Sequence, residues 1–216
     1  MFAFTDLATA AYCPRQLYYR RKHDDFGRSP EAARVRELAF QYPDLLDETN
    51  EVPAEVSVTP TQFRTNLACA SERLDAWDEL ADPPARDVLL TGREARGIAH
   101  KVLEDPLAPS LVFAGDPPPE GLWAPATVRL VAAAQALSWE RETPVERGFA
   151  EFPTHGIVRE IRLTTRRKAL YRRTVRAVET MDGPPARVEN DEKCLPCEYR
   201  TECGTKARSL RTMLGL

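Results

Sequence analysis

The chain has 216 residues, of which 43% are hydrophobic and 29% charged, the balance of a folded protein with a sizeable core rather than of a disordered tail. No uncharged apolar run approaches the ~20 residues needed to cross a bilayer, which excludes a membrane span. The opening MFAFTDLATAAYC carries Asp6 and no basic stretch, so a cytoplasmic chain without a secretory leader is expected. A net charge of −3 excludes a globally basic protein, so any surface for nucleic acid must be local.

In chain order, FTDLATAAYC predicts a helix with Thr5 as N-cap and an apolar stripe of Leu7, Ala11 and Tyr12. Pro14 then suits the first position of a second helix, PRQLYYRRK. Residues 30–48 predict a further helix around RVRELAF, and roughly 61–80 another, carrying Phe63, Leu67, Leu74 and Leu80. DPPARD at 82–87 is a cluster of breakers and a boundary. DVLLTGREARGIAHKVL reads as two strands around Gly92, and PSLVFAG as a short apolar strand. VRLVAAAQALSWERE is a strong helix. ERGFAEF and IVREIRLT alternate around PTHG as a hairpin. TTRRKALYRRTVRAVETM is a basic amphipathic helix capped by Thr164 or Thr165. The chain thus divides into a helical N-terminal part (1–85), a mixed α/β core (86–182) and a C-terminal cysteine segment (183–216), all in one compact unit.

Five cysteines in a chain of this kind point to metal ligation or buried thiols rather than disulfides. Cys194-Leu-Pro-Cys197 with Cys203 close behind places three thiols within ten positions. Two cysteines separated by two residues turn both sulfurs to one centre, and soft thiolates suit zinc or an iron–sulfur cluster. A fourth ligand must come from Cys13, Cys69 or a histidine. Cys13 is the best placed, because a Cys-Pro-Arg turn between two helices presents its sulfur at a helix start. Cys69, inside NLACASERL, is expected in the core.

YCPRQLYYRRK near one end and KCLPCEYRTEC near the other resemble the CRISPR-associated RecB-like exonucleases, the Cas-four family. The order of the middle segments is similar too, so the resemblance covers most of the chain. It implies an α/β fold of the PD-(D/E)xK type with a mixed central sheet. It also implies a 4Fe–4S cluster on Cys13, Cys194, Cys197 and Cys203. The partners it implies are DNA, single-stranded or with free ends, and the CRISPR spacer integrase.

The family's nuclease centre needs a carboxylate after a Gly-x-x-Asp-like turn and a Glu-x-Lys on the next strand, holding Mg²⁺ or Mn²⁺. Aligned on Gly92-Arg93-Glu94-Ala95, the aspartate position holds Ala95; aligned on PSLVFAG, the Glu-x-Lys positions hold Leu111 and Phe113. Arg129 stands at the family's glutamine. A nuclease centre that is reduced or lost is therefore expected. The alternative is a displaced set in an active exonuclease, drawn from Asp87, Glu94, Arg96 and Asp116. There Glu94 and Arg96 share a strand face as a Glu-x-Arg variant. His100, Glu104 and Asp105 are further candidate ligands from loops. A third reading is a zinc-clasped interaction protein without DNA.

Two stretches could meet nucleic acid. Arg166, Arg167, Lys168, Arg172, Arg173 and Arg176 concentrate positive charge on one helix, fit to follow phosphates. Tyr18 and Tyr19 beside Arg15, Arg20, Arg21 and Lys22 interleave aromatic surface with cations, as single-strand channels do.

Overall fold

The computed structural model describes residues 1–24, 30–188 and 190–204. The last residues of the C-terminal segment, 205–216, lie outside the described residues.

A six-stranded mixed sheet forms the centre, flanked by helices on both faces. Phe2–Ala3 (β1) lies parallel to Ala95–Glu104 (β3), which pairs antiparallel with Ala85–Thr91 (β2) and with Leu107–Val112 (β4). β4 runs parallel to Arg147–Phe152 (β5), which pairs antiparallel with Ile157–Arg162 (β6). Parallel neighbours need a long crossover; between β4 and β5 it is the helix Ala124–Glu140 (α7). β1, β2 and β6 each pair with a single strand, so β6 is one edge of the sheet.

The opening helix (α1, Phe4–Tyr12) starts one residue ahead of the expected cap: Ala3, not Thr5, is the N-cap. The cause is nonlocal. Phe2 and Ala3 are held extended by their pairing with Ala95 and Arg96, so the helix begins as the ladder ends. α1 and Pro14–Lys22 (α2) pack with α7 and Thr165–Glu179 (α8) on one face, around Phe4, Leu17, Leu130, Phe152 and Tyr171. α7 buries residues around most of its circumference, as a helix enclosed by sheet and neighbouring helices should. The cap on α8 is Thr164, whose side chain accepts from the Arg167 N–H.

The other face carries Pro30–Leu38 (α3), Tyr42–Leu46 (α4), Pro60–Arg73 (α5) and Trp77–Ala81 (α6), packed through Tyr42, Phe63, Leu67, Leu80 and Phe149. Phe63, Leu67, Leu74 and Leu80 are all buried as expected, but the expected single helix is two, because Leu74 turns extended (φ −91°, ψ 121°). Cys69 is exposed, not in the core. The buried stripe of α5 is Phe63, Leu67 and Ala70, and position 69 falls off it. Asp191–Cys194 (α9) and Arg200–Cys203 (α10) close the described chain. No described helix is long and apolar enough to cross a membrane.

Candidate metal centre

Cys13 is at once the C-cap of α1 and the N-cap of α2, with extended backbone (φ −157°, ψ 110°). Pro14 explains the break. It cannot continue α1 and disfavours helical backbone at the residue before it, yet is preset for the first turn of α2. The backbone of Cys13 is tied on both sides: its N–H donates to Thr9 O (2.8 Å) and its carbonyl accepts from Gln16 N (3.0 Å). At the other end, the Asn190 side chain caps α9 by accepting from Lys193 N (3.1 Å), and the Cys197 N–H donates to Cys194 O (3.3 Å). α10 then ends on Gly204, whose left-handed backbone (φ 68°) suits a residue without Cβ.

These two ends of the chain meet. Lys193 Nζ donates to Tyr12 O (3.2 Å) across 181 positions of sequence, Arg15 Nη1 to Pro185 O (2.8 Å) and Tyr19 Oη to Glu202 O (3.2 Å). Tyr199 stacks against Tyr19 (6.0 Å between centroids) and His23 (5.9 Å), and His23 Nε2 reaches Glu202 Oε1 at 2.9 Å. Between them lies a narrow pocket lined by Cys13, Cys194, Cys197 and Cys203 together. All four thiols are half-buried and none is in a disulfide.

Burial pushes the Cys197 thiol up, and Cys13, Cys203 and Cys194 each push it further. A cation beside Cys197 would favour its thiolate. Arg15, Arg187, Lys193 and Arg200 line the same pocket and offset negative charge there. Arg187 is held by its bond from Nε to Cys203 O (2.9 Å). As the side chains stand, no three His, Cys, Asp or Glu among the described residues are grouped as a metal ion needs them. The donor chemistry does fit a cluster or a zinc ion: four soft thiols on one pocket, in a cationic surround. No protein-family model and no curated protein sequence matches this chain.

The carboxylates considered for a nuclease centre are spread out. Asp87 stands between the Arg86–Lys101 and Val88–Ala99 rungs and is paired with Arg36 (3.2 Å); Arg96 pairs with Thr91 at the far end, roughly 13 Å along the strand. Asp116 is 90% exposed and 3.5 Å from His155 Nε2. Glu94 sits beside the Tyr171 hydroxyl, whose pKa burial raises and the Glu94 charge raises further. Glu104 pairs with Arg141 (2.9 Å), and the Asp105 N–H is taken by Glu79 Oε1 (3.1 Å). His100 is not on a loop: it is buried on β3, where Nδ1 accepts from Val112 N (2.7 Å) at the point where β4 leaves the ladder. Ala95 and Leu111 are buried in the apolar core, and Phe113 stacks with Phe152 (5.6 Å) beneath the Arg129 guanidinium.

The raised Tyr171 pKa carries a pH prediction. Above pH ~10 an unfolded tyrosine loses its proton while Tyr171 in the fold keeps it. Its stabilising contribution is therefore full below that pH and is lost progressively as the pH rises from there toward the folded value. Urea melts should show wild-type stability falling more steeply above pH 10 than that of Tyr171→Phe; equal slopes would refute the assignment.

Of the residues expected at nucleic acid, Arg166, Arg172, Arg173 and Arg176 are exposed on α8, and Arg167 and Lys168 are half-buried at its start. Arg15 lines the cysteine pocket. Tyr19 is buried, with Tyr18 edge-on to it at 5.3 Å, so Tyr19 offers no open face to a base. Arg21 is paired with Asp6 (2.9 Å) and Arg20 Nη1 donates to Thr9 Oγ1 (3.0 Å).

Sequence reasoning missed a buried ion pair. Lys101 on β3 and Glu151 on β5 are both 0% exposed, 2.8 Å apart. Lys101 Nζ also donates to Ala39 O and Leu80 O (2.6 Å each), using all three of its donors. Glu151 Oε1 accepts from Ser110 Oγ (2.5 Å). Burial lowers the Lys101 pKa, against the pull of Glu151. A lysine and a carboxylate at the sheet centre are the groups a metal nuclease uses, but these are sealed and fully bonded. The signal was a charged residue inside each of two apolar runs, GIAHKVL and GFAEF.

Proposed function

We propose that this chain is an iron–sulfur DNA-binding protein on a RecB-like, PD-(D/E)xK-type scaffold with reduced or lost nuclease activity, in a CRISPR spacer-acquisition setting. The observation that carries the reading is the shared pocket of Cys13 with Cys194, Cys197 and Cys203. These four would hold a 4Fe–4S cluster; its role would be to clasp the two chain ends, with Arg15, Lys193 and Arg187 offsetting its charge. The apolar residues at Ala95, Leu111 and Phe113 and the scattered Asp87, Glu94, Arg96 and Asp116 support lost cleavage.

Purification without oxygen, followed by iron, sulfide and zinc analysis, tests the clasp. The expected product is brown with roughly four irons per chain. Stoichiometric zinc without iron would replace the cluster by a zinc clasp, and neither metal would overturn both. Labelled single-stranded DNA with Mn²⁺ should stay intact while binding in a salt-dependent way. Digestion abolished by Glu94→Ala would instead establish the active exonuclease.

A further inference from the structure

β6 is an edge strand of the sheet, and two open clefts run along it. They share Glu160. The first is bounded by α5 through Asn66, Cys69 and Arg73, and by Arg159 and Arg167. The second is bounded by Arg147, Arg162 and Lys168. Six cations thus face three carboxylates, Glu120, Glu146 and Glu160, on a molecule whose net charge is negative.

Three of these cations lie in no direct ion pair with a carboxylate, although Glu120 acts on Arg159 from further off. Among the described residues, Arg73, Arg159 and Arg167 bond to main-chain carbonyls and form no ion pair. Arg73 Nη2 donates to Val158 O (3.2 Å), Arg159 Nη1 to Gly121 O (2.8 Å) and Arg167 Nη1 to Arg162 O (2.7 Å). Arg73 and Arg159 line the same cleft; burial lowers the pKa of Arg159 and the like charge of Arg73 lowers it further, against the pull of Glu120.

The carbonyl bonds also decide between occupants. In an antiparallel pair, alternate residues turn both N–H and C=O away from the partner strand. On β6 the outward residues include Val158 and Arg162, whose carbonyls are bound by Arg73 and Arg167. An added peptide strand would need those acceptors, so the edge is closed to strand pairing by guanidinium groups. The same groups keep further N–H donors for phosphate oxygens, which they bind in fork geometry.

From this we propose that the β6 edge is a phosphate-tracking groove for single-stranded nucleic acid, with Arg73, Arg159 and Arg167 as its principal contacts. It rests on the DNA-binding reading above and locates it away from the Tyr18 stretch and from the outer face of α8.

The test uses the full chain with its native metal content and a labelled oligo-dT. Anisotropy titrations over a salt series compare wild type, Arg73→Glu/Arg167→Glu and Arg172→Glu/Arg176→Glu. The first double variant should bind at least about tenfold more weakly, with the log–log salt slope smaller by about 1.4, or 0.7 for each lost contact. The second, on the exposed face of α8, should change little. Cys69 supplies a readout that needs no substitution. It is exposed in the cleft and outside the cysteine pocket, so saturating oligo-dT should slow its alkylation severalfold, read by peptide mass spectrometry. Wild-type binding with unprotected Cys69 and unchanged salt slope would overturn the groove and leave the DNA reading standing. No affinity for oligo-dT at low salt would overturn both. Protection by poly-glutamate but not by oligo-dT would assign the groove to an acidic peptide and overturn the proposal.

Discussion

Lys101→Met is expected to cost about 3–5 kcal/mol of folding free energy, because it leaves the Glu151 carboxylate uncompensated at 0% exposure. The loss has three further parts. Ala39 O and Leu80 O lose the donor that binds α3–α4 and α6 to the sheet, and Tyr42 loses the cation 4.8 Å above its ring. Lys101→Met/Glu151→Gln removes both charges and keeps an acceptor for Ser110 Oγ, so it should recover about half of the deficit or more. Urea melts of the three proteins decide it. A double variant no more stable than the single one would show that the carbonyl bonds, not the ion pair, carry the cost.

Cys13→Ser carries the other large effect. If four thiols share one centre, the clasp closes a loop of well over 100 residues, and by the loop-closure argument for a crosslink its loss costs about 4–5 kcal/mol. The bonds from Lys193 to Tyr12 and from Tyr19 to Glu202 would remain but are half-exposed, and cannot replace it. The variant should lose its colour, melt lower and release the C-terminal segment to trypsin. Cys69→Ser, at an exposed site on α5, should stay within about 0.5 kcal/mol of wild type. Full iron and unchanged stability in Cys13→Ser would remove the clasp.

Much of the secondary structure was legible because its causes are local. Pro14 after Cys13, the Thr164 cap of α8, the turn at Gly92 between β2 and β3, and the β5–β6 hairpin around Pro153–His155 all follow from neighbours within a few residues. The cysteine spacing was legible for the same reason: Cys194, Cys197 and Cys203 lie within ten positions and need only a short loop to face one pocket. The early start of α1, the break at Leu74 and the exposure of Cys69 were not. Each depends on a partner far along the chain, β3 for Phe2 and Ala3, and the sheet-facing stripe for α5.

Composition, periodicity and spacing by themselves thus determined an α/β chain with a central hairpin, a basic C-terminal helix and two cysteine-bearing ends suited to soft-metal chemistry. Only the tertiary structure decided that those ends meet, that Lys101 and Glu151 seal the sheet centre, and that Arg73, Arg159 and Arg167 converge on the β6 edge. Backbone propensity acts over a few residues, whereas burial, charge pairing and edge exposure depend on which strands lie side by side.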